Sequence, residues 1–331
     1  MKKKIGIPRS LFYYQLFPFW KTFFEELGAE IVVSDRTTKK ILDDGVKSCV
    51  DEACLPVKLF HGHVINLKDR VDCLFIPRYT SISRGEYVCP KFGGLPDMIR
   101  NSFEELPQII GTEINLRKSN AAAFKAALEI GSYFCSHKKR IERACHMALK
   151  AYGDFVKQGV NGKFPGDLLD GSQPKAVAGS RNGRLNIVVI GHAYNLYDSY
   201  INMDLVYKLR CSNANVITVE NVSEEIINEK SAQLFKRMFW NFGRKAAGTA
   251  LHILDRSDID GVIYLMSFGC GIDSFVCDLV ERKLRHSRDI PFTILTIDEH
   301  SGEAGLNTRL EAFLDMIRWR KENENYISAH G

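Results

Sequence analysis

Leu185-Asn186-Ile187-Val188-Val189-Ile190-Gly191-His192 begins, past the middle of the chain, a strand-and-helix alternation that has already run once from the N-terminus. An apolar run of this length closed by Gly-His reads as a buried strand. Downstream, the pattern predicts a helix over 197–210, a strand over 215–219, helices over 223–230 and 242–254, and strands over 261–265 and 292–297. A helix over 274–288 separates those last two strands, and one over 305–321 follows them. Upstream, strands are expected at 4–8, 30–33, 71–77 and 106–110, with helices over 13–27 and 39–44, one reaching Lys68 and one opening at Gly94. Residues 78–87 read as a surface loop, and 121–158 as helical with a break near 131–136. Strands separated by helices imply parallel sheets covered on both faces. The fold class is therefore α/β: two doubly wound domains, 1–160 and 185–331, with a cleft between them. The Gly-, Pro-, Asn- and Ser-rich 161–184 is read as a linker or crossover.

Composition agrees with this plan. A chain of 331 residues suits two units of ~150 residues each, and 45% apolar with 26% charged residues is ordinary for folded domains. A net charge of +5, with no basic run interleaved with aromatics beyond Lys138-Lys139-Arg140, argues against nucleic acid as a partner. Lys2-Lys3-Lys4 is followed too soon by Pro8 and Arg9 for a signal peptide. No run approaches the ~18 apolar residues of a membrane span, so a cytoplasmic protein with no membrane partner is expected.

The nine cysteines, at 49, 54, 73, 89, 135, 145, 211, 270 and 277, are many for such a chain, and an odd number on a large α/β framework argues against a disulfide scaffold. Cys49 and Cys54 stand before an apolar helix that Pro56 suits to open, where unpaired N–H groups and the positive end of the dipole favour thiolates. Cys89, His192, Cys270 and Asp298-Glu299-His300 each fall one loop past a strand, and ligand sites of open α/β sheets lie beyond those strand ends. The spacings fit neither a zinc ribbon nor a ferredoxin run. Two readings stay open: ligands of an iron–sulfur site, or thiols buried for packing. Packing is expected of Cys73 and Cys211, and more often than ligation of Cys135 and Cys145.

His61 and His63, two apart on a helix, do not share a face; one is read as structural and the other as near the cleft. His192 and His300 are the better functional candidates. Asp298 and Glu299 are also read as caps of their loop. Lys58, Lys91 and Glu303 either steady a charged centre or are solvated, and the aromatic run 11–20 is read mostly as core.

Cys54-Leu55-Pro56-Val57-Lys58 with His61-Gly62-His63, Cys89-Pro90-Lys91, Gly191-His192-Ala193-Tyr194-Asn195-Leu196-Tyr197-Asp198, Phe268-Gly269-Cys270-Gly271, and 298–305 followed by Thr308-Arg309-Leu310-Glu311 form an ordered set. Together they resemble the CoA-substrate-specific enzyme activase-related family (DUF2229), relatives of the 2-hydroxyacyl-CoA dehydratase and benzoyl-CoA reductase subunits and of the double-cubane cluster proteins. The resemblance implies flavodoxin-like domains and an oxygen-sensitive iron–sulfur protein of anaerobes. It implies metal ligation by Cys54, Cys89 and Cys270, with Cys49 and Cys277 as extras for a larger cluster. A 4Fe-4S cluster needs three such thiolates; a double-cubane cluster needs about six, and the sixth has no obvious source beyond Cys135 or Cys145. The candidate catalytic residues, from their places in the chain, are His192, His300 and Glu303, with Lys58 and Lys91 beside the cofactor. Implied partners are a separate ATP-dependent activator that supplies low-potential electrons, a small or acyl-CoA substrate, and a second copy in a homodimer. The chain itself has no phosphate loop. The expected activity is reduction or radical-type dehydration; the alternatives are an electron-transfer or cluster-carrying protein, or a zinc-bound or metal-free scaffold.

Overall fold

The computed structural model describes residues 2–117, 119–171, 184–287 and 289–330, without side chains for Asn120 and 324–330. Most of the expected linker lies outside the described residues. In the first half, β1 (Lys4–Ile7), α1 (Tyr13–Glu26), β2 (Glu30–Val33), α2 (Lys39–Lys47), α3 (Leu55–Lys68) and β3 (Cys73–Phe75) follow one another. Then come β4 (Arg78–Ser81), α4 (Pro90–Ser102), β5 (Gln108–Ile110), β6 (Glu113–Asn115), α5 (Asn120–Ser132), α6 (Lys138–Val160) and α7 (Pro165–Asp170). The second half holds β7 (Leu185–Gly191), α8 (Ala193–Leu196), α9 (Leu205–Cys211), β8 (Ala214–Thr218), α10 (Glu224–Ser231) and α11 (Asn241–Leu254). It ends with β9 (Gly261–Ser267), α12 (Gly271–Ser287), β10 (Phe292–Ile297) and α13 (Glu303–His330).

Each half builds a four-stranded sheet in which every pairing is parallel, ordered β2-β1-β3-β5 in the first and β10-β9-β7-β8 in the second. Counted from its own first strand, each sheet has the order 2-1-3-4, as consecutive βαβ crossovers wound both ways from the first strand require. In β7 the period-two alternation is explicit. Ile187 and Val189 face a core with Leu205, Leu209, Phe313 and Ile317, whereas Val188 and Ile190 face one with Ala246, Val276 and Val280. Burial on both faces accounts for a strand with no polar alternation. The first core is aromatic: Trp20, Phe23, Phe24 and Phe75 pack together, and the Trp20 indole donates to the Tyr79 hydroxyl at 2.8 Å.

Two sequence expectations are corrected. Residues 78–87 are not all surface loop, because β4 pairs in parallel with β6 and buries Tyr79 and Ser81. Its short, mixed pattern hides the strand. The helix expected over 197–210 is broken: α8 ends at Leu196, Met203 and Asp204 take positive φ, and only Leu205–Cys211 is helical. Asn202 makes this turn by donating to the carbonyls of Asn195 and Leu196 and accepting from Leu205 N–H. Among the cysteines read as packing, Cys73 is buried but Cys211 is exposed.

The halves interlock. Leu55 and Leu59 of α3 belong to the second half's core, and Ala193 to the first half's. A buried polar relay crosses the seam: Ser34 Oγ lies 2.9 Å from His63 Nδ1, His63 Nε2 lies 3.1 Å from Thr37 Oγ1, and Thr37 donates to Asp198 Oδ2 at 2.5 Å. Burial drives both titratable members towards neutrality, pushing Asp198 up to about 6 and His63 down to about 3. Between pH 4 and 6 folded Asp198 holds a proton that the unfolded chain has released, so its stabilisation is lost as pH rises through about 6. His63 has the opposite sign, with its contribution present at neutral pH and lost as pH falls towards about 3. Asp198→Asn, which mimics the protonated acid, is therefore expected to steepen the rise of unfolding free energy between pH 4 and 6 by up to one proton, about 1.4 kcal/mol per pH unit. Urea titrations across that range measure the slope, and an unchanged slope would contradict the assignment.

Candidate metal centre

Three helices begin at the seam with a cysteine in the cap position. Cys54 is the N-cap of α3 and Cys89 that of α4, with a proline at the second helical residue of the one, Pro56, and the first of the other, Pro90. Cys270 caps α12: Ser274 N–H donates to its carbonyl at 3.0 Å and Asp273 N–H to its Sγ at 3.5 Å. The thiols come from three distant segments, yet they lie close enough for charge on Cys54 to act on Cys89 and on Cys270. The half-buried Tyr194 phenol is raised first by burial and then by Cys270, Asp273, Cys54 and Cys89 together. Burial also pushes all three thiols up, while the Lys91 ammonium works against it at Cys54 and Cys89. Thiolates in this setting need a cation beside them.

His192 caps the short α8 at the end of β7. Its ring lies between Phe242, at 3.6 Å between centroids, and Tyr194, at 4.6 Å. Burial pushes it down to about 3, so the imidazole is neutral. His192, Cys270 and Asp273 place one ligand atom each within 4.8 Å of one another, the geometry of a three-ligand metal site. Asp273 is wholly buried and accepts from the Tyr264 hydroxyl at 3.1 Å; burial raises its carboxyl to about 7. His192 Nε2 and Asp273 Oδ2 have no hydrogen-bond partner among the described residues. Orphaned buried donors and acceptors call for an explanation such as an ion, and the S, N and O donors here suit a transition metal.

A family comparison bears on this geometry. The model described as "CoA enzyme activase uncharacterised domain (DUF2229)" matches residues 4–222, well over half of the chain. The chain belongs to the DUF2229 family. A second model, "2-hydroxyglutaryl-CoA dehydratase, D-component", matches residues 201–317. No curated protein matches the chain. In this DUF2229 protein the first match carries Cys54, Cys89 and His192 and the second carries Cys270 and Asp273, so the centre draws on both.

The remaining candidates are distributed around this point. Cys49 is half-buried in the turn before α3, where burial and charge on Cys54 both push its thiol up. Cys277 packs two turns along α12 in the apolar core, where burial raises it to about 12. Lys58 is buried and paired with Glu299 at 2.5 Å across the seam. Burial of Glu299 is outweighed by that pairing, and its carboxyl is lowered. Asp298 does act as a loop cap, taking His300 N–H and Ser301 Oγ. His300 and Glu303 are exposed, with Glu303 bound to Lys208 at 2.6 Å beside a cleft of about 400 Å³ lined by Leu55, Tyr200 and Glu299. His61 bonds within its own helix to the Val57 carbonyl, and His63 is spent in the seam relay.

Sequence reasoning did not single out Asp273, or the pair that sets Cys89 in place. Glu86, buried, takes Arg244 at 2.5 Å and Asn241 at 2.8 Å, while Tyr87 exchanges backbone bonds with Phe239 and Asn241. The spacing Cys270-x-x-Asp273 at a helix start was a usable signal; the Glu86–Arg244 contact, 158 residues apart, offered none. The Cys54 loop is set by the crossing of α2 on α3 at Gly45 and Gly62, where a Cβ on Gly62 would lie 1.9 Å from the Ile41 carbonyl oxygen. Gly62→Ala is expected to cost about 3 kcal/mol through backbone displacement. Chemical denaturation gives the number, and a loss below about 0.5 kcal/mol would show that the crossing yields freely.

Proposed function

We propose that this protein holds an iron–sulfur cluster on Cys54, Cys89 and Cys270, with Cys49 as the extra thiol, and takes low-potential electrons from a separate ATP-dependent activator. The observation that carries the reading is that three cap-position thiols from three distant segments lie within electrostatic reach of one another and of one phenol. Helix N-termini and Lys91 offset the negative charge of such a centre. When bound, the cluster supplies one-electron chemistry at low potential. The chain's own part is to fix the sulfurs, to pack Phe242 and Trp240 beside them so that water is kept out, and to hold a proton on Tyr194 within their field. The cavity among Cys89, His192 and these rings is about 30 Å³, room for roughly one water.

The two strand orders match flavodoxin-like doubly wound domains, and both family names refer to CoA chemistry. They support a small or CoA-linked substrate undergoing reduction or radical-type dehydration. Among the described residues no helix is long and apolar enough to cross a membrane, which fits work in the cytoplasm. The mixed group of His192, Cys270 and Asp273 favours one rival, a mononuclear zinc scaffold.

Purification without oxygen followed by iron, sulfide and zinc analysis tests the proposal. Iron with matching sulfide is expected, and Cys54→Ala, Cys89→Ala and Cys270→Ala should each lose it. Full iron in all three variants, or zinc without sulfide in the wild type, refutes it.

A further inference from the structure

We infer that the electron donor docks on an exposed aromatic ledge beside the cysteines and meets it with an acidic face. The inference rests on the reading that a separate protein supplies the electrons, and adds the place and the charge of the contact. The ledge links the segment before α4 to α12. Tyr87, two residues before Cys89, stacks on Phe239 at 4.7 Å between ring centroids. Phe239 meets Trp240 edge-on at 5.5 Å, and Trp240 meets Phe275 of α12 at 6.2 Å. Phe239 and Phe275 are each 57% exposed, and Phe268, two residues before Cys270, is 68% exposed. Contiguous aromatic surface left in water marks a contact with another macromolecule.

The rings are held in place by the backbone. Tyr87 N–H donates to the Phe239 carbonyl at 3.0 Å, Asn241 N–H donates to the Tyr87 carbonyl at 3.0 Å, and Tyr87 and Trp240 form a parallel bridge. A surface ordered in advance loses less freedom on association. Its rim is basic. Arg117 lies over the Tyr87 ring at 5.0 Å, Arg237 donates to the Arg84 carbonyl at 2.8 Å, and Lys236 is exposed beside it. Lys245 lines the same cavity as Cys89, Tyr87 and Trp240. The carboxylates of Glu86, Glu224 and Asp278 are each paired with an arginine. Two copies joined through this ledge would set like charges against like, whereas an acidic carrier is steered onto it. Single-stranded nucleic acid also seeks rings and cations, but here each ring from Tyr87 to Phe275 is already packed against another. Docking serves a single-electron transfer: the reduced carrier loses one electron and the centre gains one, with no bond made or broken.

The test is calorimetric titration of the whole protein, purified without oxygen, with oxidised plant-type ferredoxin, a small acidic one-electron carrier. Binding is expected at low salt and should weaken roughly tenfold when salt is raised to about 0.2 M. Lys236→Glu combined with Arg237→Glu should weaken it by about tenfold or more, and Phe275→Ala by roughly fivefold. The two variants alter different elements, so a folding failure in one, seen by circular dichroism, leaves the other to decide. No binding, or binding that folded variants keep in full, overturns the inference. Self-association that the same substitutions abolish in sedimentation would give the ledge to a second copy, and stronger binding of a single-stranded oligonucleotide would give it to nucleic acid; either result also overturns it. Salt-sensitive docking on protein that holds no iron would leave the ledge standing and the cluster reading fallen. Iron with matching sulfide but no docking would do the reverse.

Discussion

The structure depends on the cost of placing several half-buried thiols within reach of one another's charge. Each sits where an unpaired helix N-terminus favours the ionised form, yet burial raises each towards the neutral one. A cation there would reconcile the two effects by taking up the charge that the helix starts only partly offset. A metal at this point would therefore tie together α3, α4 and α12, and binding would release protons as the sulfurs ionise.

The scaffold brings those helix starts together by using the same topology twice. In a parallel sheet every helix that leads into the next strand starts at the carboxyl edge, so two sheets meeting by those edges bring helix N-termini together. The seam is then held by polar contacts of long sequence separation: Lys58 with Glu299, Thr37 with Asp198, and Glu86 with Arg244 and Asn241. Buried pairs of this kind add little net stability over apolar packing, but breaking one strands a charge. Their contribution here is register between the halves.

Much of this was legible in the chain. Apolar strands such as 185–191 and 292–297 and the helices between them follow from periodicity and punctuation, and strand ends mark where ligand chemistry concentrates. The cap position of Cys54 follows from Pro56 in the first turn, whereas α4 opens at Pro90, four residues before the Gly94 start that the pattern suggests. What periodicity could not give were features decided by contact. β4 is a strand because β6 lies beside it, and the turn after Leu196 is made by one asparagine side chain. Asp273 acquires meaning only because Tyr264 and His192 reach it from neighbouring strands. The Lys58–Glu299 bond joins a lysine read as beside a charged centre or solvated to a glutamate read as a loop cap, a pairing that pattern alone does not show.

Leu55 and Leu59 set a condition on access. Both are 2% exposed in the core of the half to which their helix does not belong. Swinging the lobes apart would return them to solvent at about 3–6 kcal/mol for the pair, before the polar seam is counted. Traffic to the sulfurs by a hinge is thereby disfavoured.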